Sequence, residues 1–379
     1  MILRELGYRR PSPGEIWAYR EDRAEERPWF DKSKIRPFYV PAAVLNGTPL
    51  VSYSGIVPSA LLGVASLLGP RMWMRRACFL VSPTWSIDDR SVAYWLRRHA
   101  VLHRVAHPLH SVVFVCNTED ETRRMRSLGE AAFTHNKTTH VSDQIFRPLE
   151  CEPVEFDAIY NAQLAPWKRH ELSVSIPRCG FLFYRGIDST SESEARLIAD
   201  HMAAAPGHEF INDIDSDGAP IRLSPEEVNR QLNRASVGLC LSAEEGAMFA
   251  CAEYLLSGLP VVTTPNTGGR NFYLDDEICI TVPADPREIA AAVSGLKARN
   301  IPREYVRKRA LERIAAERTR FVSLINELYA ELGIQKEFEG FWPLKRPVVM
   351  QWLPPRLARR NAIKGAVDEL IAGEGDPDH

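Results

Sequence analysis

The sequence has little of what marks membrane-spanning, disulfide-stabilised or nucleic-acid-binding proteins. Its 379 residues carry a net charge of −2, which argues against a broad nucleic-acid interface. No stretch approaches the roughly 20 apolar residues that cross a bilayer, and the first residues lack the apolar core of a signal peptide. The seven cysteines are scattered without a C-x-x-C pair, and several lie in strand-like apolar runs. We therefore expect a cytoplasmic protein with reduced thiols.

Strand-like and helix-like segments alternate along most of the chain. The length exceeds what one hydrophobic core usually serves, so two domains are expected. From residue 76 the runs RACFLVSP and SVVFVCNT predict buried strands separated by a helix, and a second alternation begins at residue 156. This rhythm predicts an α/β fold with two Rossmann-like domains, whose parallel sheets face an interdomain cleft. We place the domains at 1–152 and 153–335, followed by a tail at 336–379.

One segment of the second domain carries two glutamates that suit the binding of a sugar nucleotide. Glu245 and Gly246 follow a predicted strand, with Ala247 and Met248 next, and Glu253 comes eight residues after Glu245. Free backbone amides at a helix start attract electronegative ligand atoms. If the segment is helical, the two carboxylates lie about 12 Å apart along the axis. Each carboxylate can accept two hydrogen bonds from a vicinal diol.

The E-x7-E spacing, followed by GLPVVTT, resembles the signature of retaining GT-B glycosyltransferases, the large group often called family four. The resemblance implies that Glu245 contacts the transferred hexose and that Glu253 contacts the nucleotide ribose. It also implies the GT-B form of the two-domain fold and metal-independent catalysis without a cofactor. It covers residues 156–293 well and the first domain only in outline.

The same family carries an arginine and, five residues later, a lysine that bind the donor diphosphate. Lys168 occupies the lysine position, but Gln163 stands where the arginine is expected. A neutral amide cannot neutralise a phosphate, so we expect Arg169 or Arg270 to supply the charge. The consecutive glycines Gly268 and Gly269 expose backbone amides that can cradle an anion, and the resemblance puts them near the donor.

The first domain is expected to hold the acceptor. His135, Asn136 and Asp88 follow predicted strand ends, where ligands bind in α/β sheets. Histidines also recur at four-residue spacing at 99, 103 and 107, with His110 close behind. That spacing can build a metal site, but no carboxylate or cysteine pattern accompanies it, so we expect no metal.

The sequence thus predicts a hexosyltransferase that uses a nucleotide-sugar donor and a glycan or glycolipid acceptor, in cell-surface polysaccharide synthesis by analogy. The alternatives are a GT-B epimerase or phosphorylase, or a catalytically weak sugar-nucleotide-binding or membrane-associated scaffold. The aromatic, basic tail, with Phe341, Trp342 and Trp352, is expected to pack on the first domain. A peripheral contact with anionic lipid at the inner face of the membrane is the alternative for the tail.

Overall fold

Two compact units make up the chain, a computed structural model of which describes residues 2–22, 42–56, 60–67, 75–87, 90–185, 190–340 and 342. The first unit comprises Met1–Lys137 and Arg318–His379, and the second comprises Thr138–Glu317. Both boundaries differ from those expected at 152/153 and 335/336. None of the helices in the described part of the chain is long and apolar enough to cross a membrane.

The segment 138–155 belongs to the second unit because it is tied to that unit's core. Phe146 is buried among the unit's apolar side chains. The backbone amide of Arg147 donates to Asn229 Oδ1 at 3.1 Å, and that of Leu149 donates to Asn233 Oδ1 at 2.9 Å. These long-range bonds cannot be read from a local sequence pattern.

The first unit is built on a five-stranded sheet in the order β1-β2-β3-β4-β5. β1 and β2 are antiparallel, and the remaining neighbours are parallel. The strands are β1 Ala42–Asn46, β2 Leu50–Ile56, β3 Ala77–Pro83, β4 His110–Cys116 and β5 Ala132–Thr134. The helices are α1 Ile2–Glu5, α2 Pro13–Glu21, α3 Arg90–Ala106 and α4 Glu119–Ser127.

Both faces of this sheet are covered, as the continuous apolar runs of its strands predict. Phe79 and Val81 of β3 face one apolar cluster, and Cys78 and Leu80 face another. The second cluster also contains apolar residues 321–329 of the last helix. The run IVPSALLGVASLLG lies partly outside the described residues, and its described part contains a 3₁₀ helix, Gly63–Leu67.

The described start of the tail packs within the first unit. Phe338 is buried in the cluster beneath the last helix, and Asn326 exchanges two hydrogen bonds with its backbone, at 2.7 and 3.1 Å. Trp342 packs against the same cluster, and the Arg318 guanidinium lies 4.7 Å from its ring centroid. Phe341 and Trp352 lie outside the described residues.

The second unit is a doubly wound parallel sheet in the order β13-β11-β9-β6-β7-β8. Renumbered within the unit, this is the 3-2-1-4-5-6 order of the Rossmann fold read from the opposite edge. Its strands are β6 Phe156–Gln163, β7 Cys179–Tyr184, β8 Glu209–Phe210, β9 Ala235–Cys240, β11 Val261–Thr263 and β13 Cys279–Thr281. Two further short strands, β10 Glu244–Glu245 and β12 Thr267–Gly268, pair with each other in parallel. The helices are α5 Ser191–Ala204, α6 Pro225–Asn233, α7 Phe249–Leu256, α8 Pro286–Arg299 and α9 Arg303–Leu332.

The expected α/β fold class with two Rossmann-like units, the building blocks of GT-B proteins, is confirmed. The order of strands reverses between β6 and β9, because β7 follows β6 on one side and β11 follows β9 on the other. Ligands of open α/β sheets bind at the carboxyl ends of strands at such a switch point. The loops that leave β6 and β9 are therefore the first place to look for a site.

A prediction concerns Gly238 of β9, where the ring of Tyr254 from α7 packs directly against the backbone. A Cβ at this position would lie 2.4 Å from Tyr254 Cγ, so the ring would have to move. Gly238→Ala should lower the free energy of unfolding by about 1–3 kcal/mol through overpacking. Gly295→Ala is the control, since nothing lies within 4 Å of its Cβ in α8. Gly295→Ala should raise the free energy of unfolding, measured by urea denaturation, by about 0.5–1 kcal/mol. Equal effects of the two substitutions would contradict this packing.

Candidate functional site

A buried ion pair joins the loops that leave β6 and β9. After β6 a 3₁₀ turn, Pro166–Lys168, carries Lys168 back toward the sheet. Its Nζ lies 2.5 Å from Glu245 Oε1, and the side chains are only 9% and 7% exposed. Ser242, just after β9, donates its hydroxyl to the same carboxylate oxygen at 2.5 Å. The carboxylate is thus held by one cation and one hydroxyl at the switch point.

Arg270 and Arg169 bind the loops next to this ion pair. Arg270 is fully buried, and its guanidinium donates to Ser242 Oγ at 3.0 Å and to the Thr264 carbonyl at 2.8 Å. Arg169 donates to the Leu241 carbonyl at 2.6 Å and to Thr264 Oγ1 at 2.7 Å. We expected these arginines to replace the missing phosphate ligand. Instead, both guanidinium groups bind the loops that present Ser242, and neither lines the pocket described below.

The loop that contains Gly268 and Gly269 packs against the turn at Glu245. At Gly268, φ is +110°, and a Cβ there would lie 1.6 Å from the carbonyl oxygen of Glu245, so only glycine fits this approach. The amide of Gly269 donates to the Gly246 carbonyl at 2.9 Å. We expected these two amides to cradle an anion. The Gly269 amide is already bonded to the protein, so the loop fixes the backbone of Glu245.

The segment between the two glutamates is only partly helical. α7 begins at Phe249, and Met248 precedes it without a capping side-chain hydrogen bond. The expectation that Glu245 and Glu253 are separated by a helical rise of eight residues is therefore wrong. The extended pairing of Glu244–Glu245 with Thr267–Gly268 prevents the helix from starting earlier.

Glu253 lies in the first turns of α7 with a different environment from Glu245. Its carboxylate accepts a hydrogen bond from Asn161 Nδ2 of β6 at 3.0 Å. Burial raises the pKa of Glu253 to about 7, while the Asn161 hydrogen bond lowers it. The backbone amide of Asn161 donates to the Tyr254 hydroxyl at 2.5 Å. This half-buried carboxyl group forms no ion pair among the described residues, so its desolvation is offset only in part.

Both glutamates line one pocket of about 700 Å³ in the second unit. Of the residues expected on the donor side, it contains Lys168, Glu245, Ala247, Met248 and Glu253. Gln163, Gly246, Arg169, Gly268, Gly269 and Arg270 do not line it. The two glutamates and the lysine therefore lie at one pocket, whereas the two arginines and the glycine loop contact backbone and side chains next to it.

Other pocket residues were not singled out from the sequence, among them Tyr184, Arg185 and Arg222. Tyr184 ends β7 with a side chain that is 47% exposed, and Arg185 follows it. Arg222 enters from the loop before α6. Arg185 is bound to Glu194, Ser191 and the Gly218 carbonyl, whereas Arg222 is exposed and has no ion pair within the described chain. Tyr184 follows a strand end of the sheet, a signal that could have identified it.

The two acceptor-side candidates that the structure describes lie in the interior of the first unit. His135 and Asn136 are both almost completely buried. The His135 ring stacks on Phe321 of α9 with centroids 4.3 Å apart. Asp88 lies outside the described residues. The strand-end signal was correct for β5, but these two side chains turn into the core.

Comparisons with known proteins match the backbone only. No protein-family model and no curated protein matches the sequence. HepE from Anabaena, solved with UDP-glucose, is 12% identical over 73% of this chain and 83% of that chain, with a TM-score of 0.46. Sucrose-phosphate synthase from Thermosynechococcus elongatus is 15% identical over 68% and 74%, also with a TM-score of 0.46. AviGT4, a glycosyltransferase of avilamycin A biosynthesis, is 14% identical over 73% and 80%, with a TM-score of 0.45. The function proposed below therefore rests on the residues of the pocket.

A prediction follows from the raised pKa of Glu253. A carboxyl group whose folded pKa is about 7, against an ordinary 4.5, binds more protons in the folded state. Its contribution to stability is present below pH 4.5 and is lost as the pH rises through 7. Relative to Glu253→Gln, wild-type protein should lose about 2 kcal/mol of unfolding free energy between pH 5 and pH 8. Urea unfolding at both pH values measures this. Parallel stability curves for the two proteins would contradict the burial of an unpaired carboxyl group.

Proposed function

We propose that the chain is a glycosyltransferase that binds a nucleotide-diphosphate sugar in the pocket of its second unit. The observation that carries the proposal is the presence of two differently held carboxylates and a buried lysine in one pocket at the switch point. Glu245 is ion-paired with Lys168, and Glu253 is half-buried and forms no ion pair with any residue that the structure describes. The pocket volume of about 700 Å³ lies within the range of small-molecule sites.

In this proposal, Glu253 binds the ribose of the donor. Two hydroxyls of a vicinal diol donate to the two carboxylate oxygens, which stabilises the charged form and offsets its desolvation. Asn161 already holds one oxygen, so the carboxylate is oriented before the ligand arrives. The exposed ring of Tyr184 offers a flat apolar face for the nucleobase at the same pocket.

Lys168 and Glu245 act at the other end of the donor. Lys168 balances the charge of the diphosphate as it departs, and Glu245 accepts hydrogen bonds from the hexose hydroxyls. Because Ser242 also holds Glu245, the carboxylate keeps a partner when Lys168 turns to the phosphate. Arg222 supplies the cation that Gln163 cannot provide, since it lines the pocket and has no ion pair among the described residues.

The start of α7 supports the same assignment. Met248 offers no capping side chain, and Met248, Phe249 and Ala250 line the pocket. The amides of a helix start favour an anion, so the helix and the cations together replace a metal ion in our proposal. No cofactor is needed for this chemistry.

The finer parts of the proposal derive from the family resemblance. They are transfer of a hexose with retention of configuration, a glycan or glycolipid acceptor, and a role in cell-surface polysaccharide synthesis. A cytoplasmic location, with contact to the inner face of the membrane through the tail, belongs to the same proposal. The domain boundaries at 152/153 and 335/336 are replaced in it by the division at 137/138 and 317/318.

The direct test is a panel of UDP-, GDP- and TDP-sugars, with thermal denaturation and donor hydrolysis as readouts. We expect one nucleotide class to raise the melting temperature and to be hydrolysed slowly without acceptor. A ligand at 100 times its Kd stabilises the folded state by about 2.7 kcal/mol. Glu253→Ala should abolish the shift for that class. If no sugar nucleotide raises the melting temperature and none is hydrolysed, the proposal is wrong.

Substitution of Lys168 separates its two roles. Lys168→Ala should lower the rate of donor cleavage by about 10²–10³-fold, because the leaving diphosphate loses its charge partner. It also leaves Glu245 buried and uncompensated, at a cost of about 3–5 kcal/mol in stability. Lys168→Arg keeps the charge and should retain stability while the rate still falls.

The matched control is Lys297→Ala, since this lysine pairs with Asp157 away from the pocket. It should leave the cleavage rate unchanged. If Lys168→Ala and Lys297→Ala both react at the wild-type rate, Lys168 has no role at the diphosphate.

A further inference from the structure

Three histidines of the first unit converge where α3 meets β4. His103 and His107 lie one turn apart near the end of α3, and His110 begins β4. A ligand atom of each lies within 4.8 Å of the others, and no other group of three potential ligands of this kind is found among the described residues. The tight connection between helix and strand, with the His110 amide donating to the His107 carbonyl at 3.0 Å, brings them together.

The geometry of two of the rings is already close to that of a metal site. His103 Nε2 and His110 Nδ1 are 3.0 Å apart. A tetrahedral zinc ion, with Zn–N bonds of about 2.0–2.1 Å, separates its ligand nitrogens by about 3.3 Å. A metal ion can therefore take the place of the proton between these two nitrogens with a small opening of the pair.

The third ring provides the remaining ligand. His107 stacks over the other two rings, with centroids 4.6 and 4.7 Å away. Its Nε2 atom is buried and has no hydrogen-bond partner within the described part of the chain. Its Nδ1 lies 3.3 Å from the His103 carbonyl, so Nε2 is the nitrogen left for a ligand. A turn of this side chain toward the pair completes a three-nitrogen site.

The surroundings favour the neutral imidazole of His103, and the neutral ring is the form that binds metals. Burial, with the neighbouring His107, His110 and Arg104, lowers the pKa of His103 to about 3. Arg104 does not leave an unbalanced positive charge, because Glu130 accepts two hydrogen bonds from it at 2.7 and 2.8 Å. His103 and His107 are half-buried, so an ion can reach them from solvent.

We propose that His103, His107 and His110 form a binding site for a divalent transition-metal ion of the zinc type. Three imidazoles and no carboxylate favour zinc, cobalt or nickel over magnesium or calcium. Three protein ligands leave a fourth position for water, as in open zinc sites. This proposal departs from the expectation of no metal drawn from the sequence, and it does not depend on the proposed function of the second unit.

The test is titration of the full-length protein, free of any histidine tag, with Co²⁺, followed by visible absorption and displacement by Zn²⁺. We expect one Co²⁺ per chain, with the visible bands of a nitrogen-bound ion that vanish when Zn²⁺ is added. His107→Gln and His110→Gln should each lower Co²⁺ affinity by at least about tenfold, the lower end of the losses seen when supporting residues of metal sites are removed.

His99→Gln is the matched control, because this histidine lies one turn earlier on α3 and its Nδ1 is bonded to the Trp95 carbonyl at 2.8 Å. It should bind Co²⁺ as the wild type does. Circular dichroism of the metal-free variants shows whether they fold, and His107→Gln replaces a half-buried ring with a side chain of similar reach. Absence of saturable binding, or binding that survives both cluster substitutions, would overturn the site.

Discussion

The ion pair between Lys168 and Glu245 is the constraint around which the second unit's pocket is organised. Two charges buried together are costly to separate, and the loss of either leaves the other uncompensated. The pair spans the switch point, because one partner follows β6 and the other follows β9. Ser242, Arg270 and Thr264 extend it into a network that crosses three loops. Because Gly268 has no side chain, its backbone can lie directly against the Glu245 carbonyl.

The two carboxylates of the pocket are held differently. Glu245 is held by a cation and a hydroxyl, whereas Glu253 accepts a hydrogen bond from Asn161, forms no ion pair among the described residues and has a raised pKa. Carboxyl groups with a pKa raised by burial are frequent at functional sites. In our proposal the donor supplies the further hydrogen bonds to Glu253.

Much of the fold and the core of the site follow from the sequence. Buried strands such as β3, β4 and β9 were predicted from continuous apolar runs, and the two glutamates and Lys168 were singled out through the family resemblance that their positions carry. The roles of Arg270, Gly268 and Gly269 were not predictable, because each depends on which backbone lies beside it after folding. The start of α7 at Phe249 was missed for a similar reason, since the β10–β12 pair overrides local helix preference. The histidine cluster needed the register of β4 against α3 to bring His110 to the other two rings.

The central claim, that Glu253 and Glu245 hold opposite ends of one donor, is tested most directly by a crystal structure of the protein with the stabilising nucleoside diphosphate bound. We expect electron density for the nucleotide in the second unit's pocket. Both ribose hydroxyls should lie within hydrogen-bond distance of the Glu253 carboxylate, and the diphosphate should lie beside Lys168. A nucleotide bound elsewhere, with Lys168 and Glu245 still paired and Glu253 untouched, would contradict it.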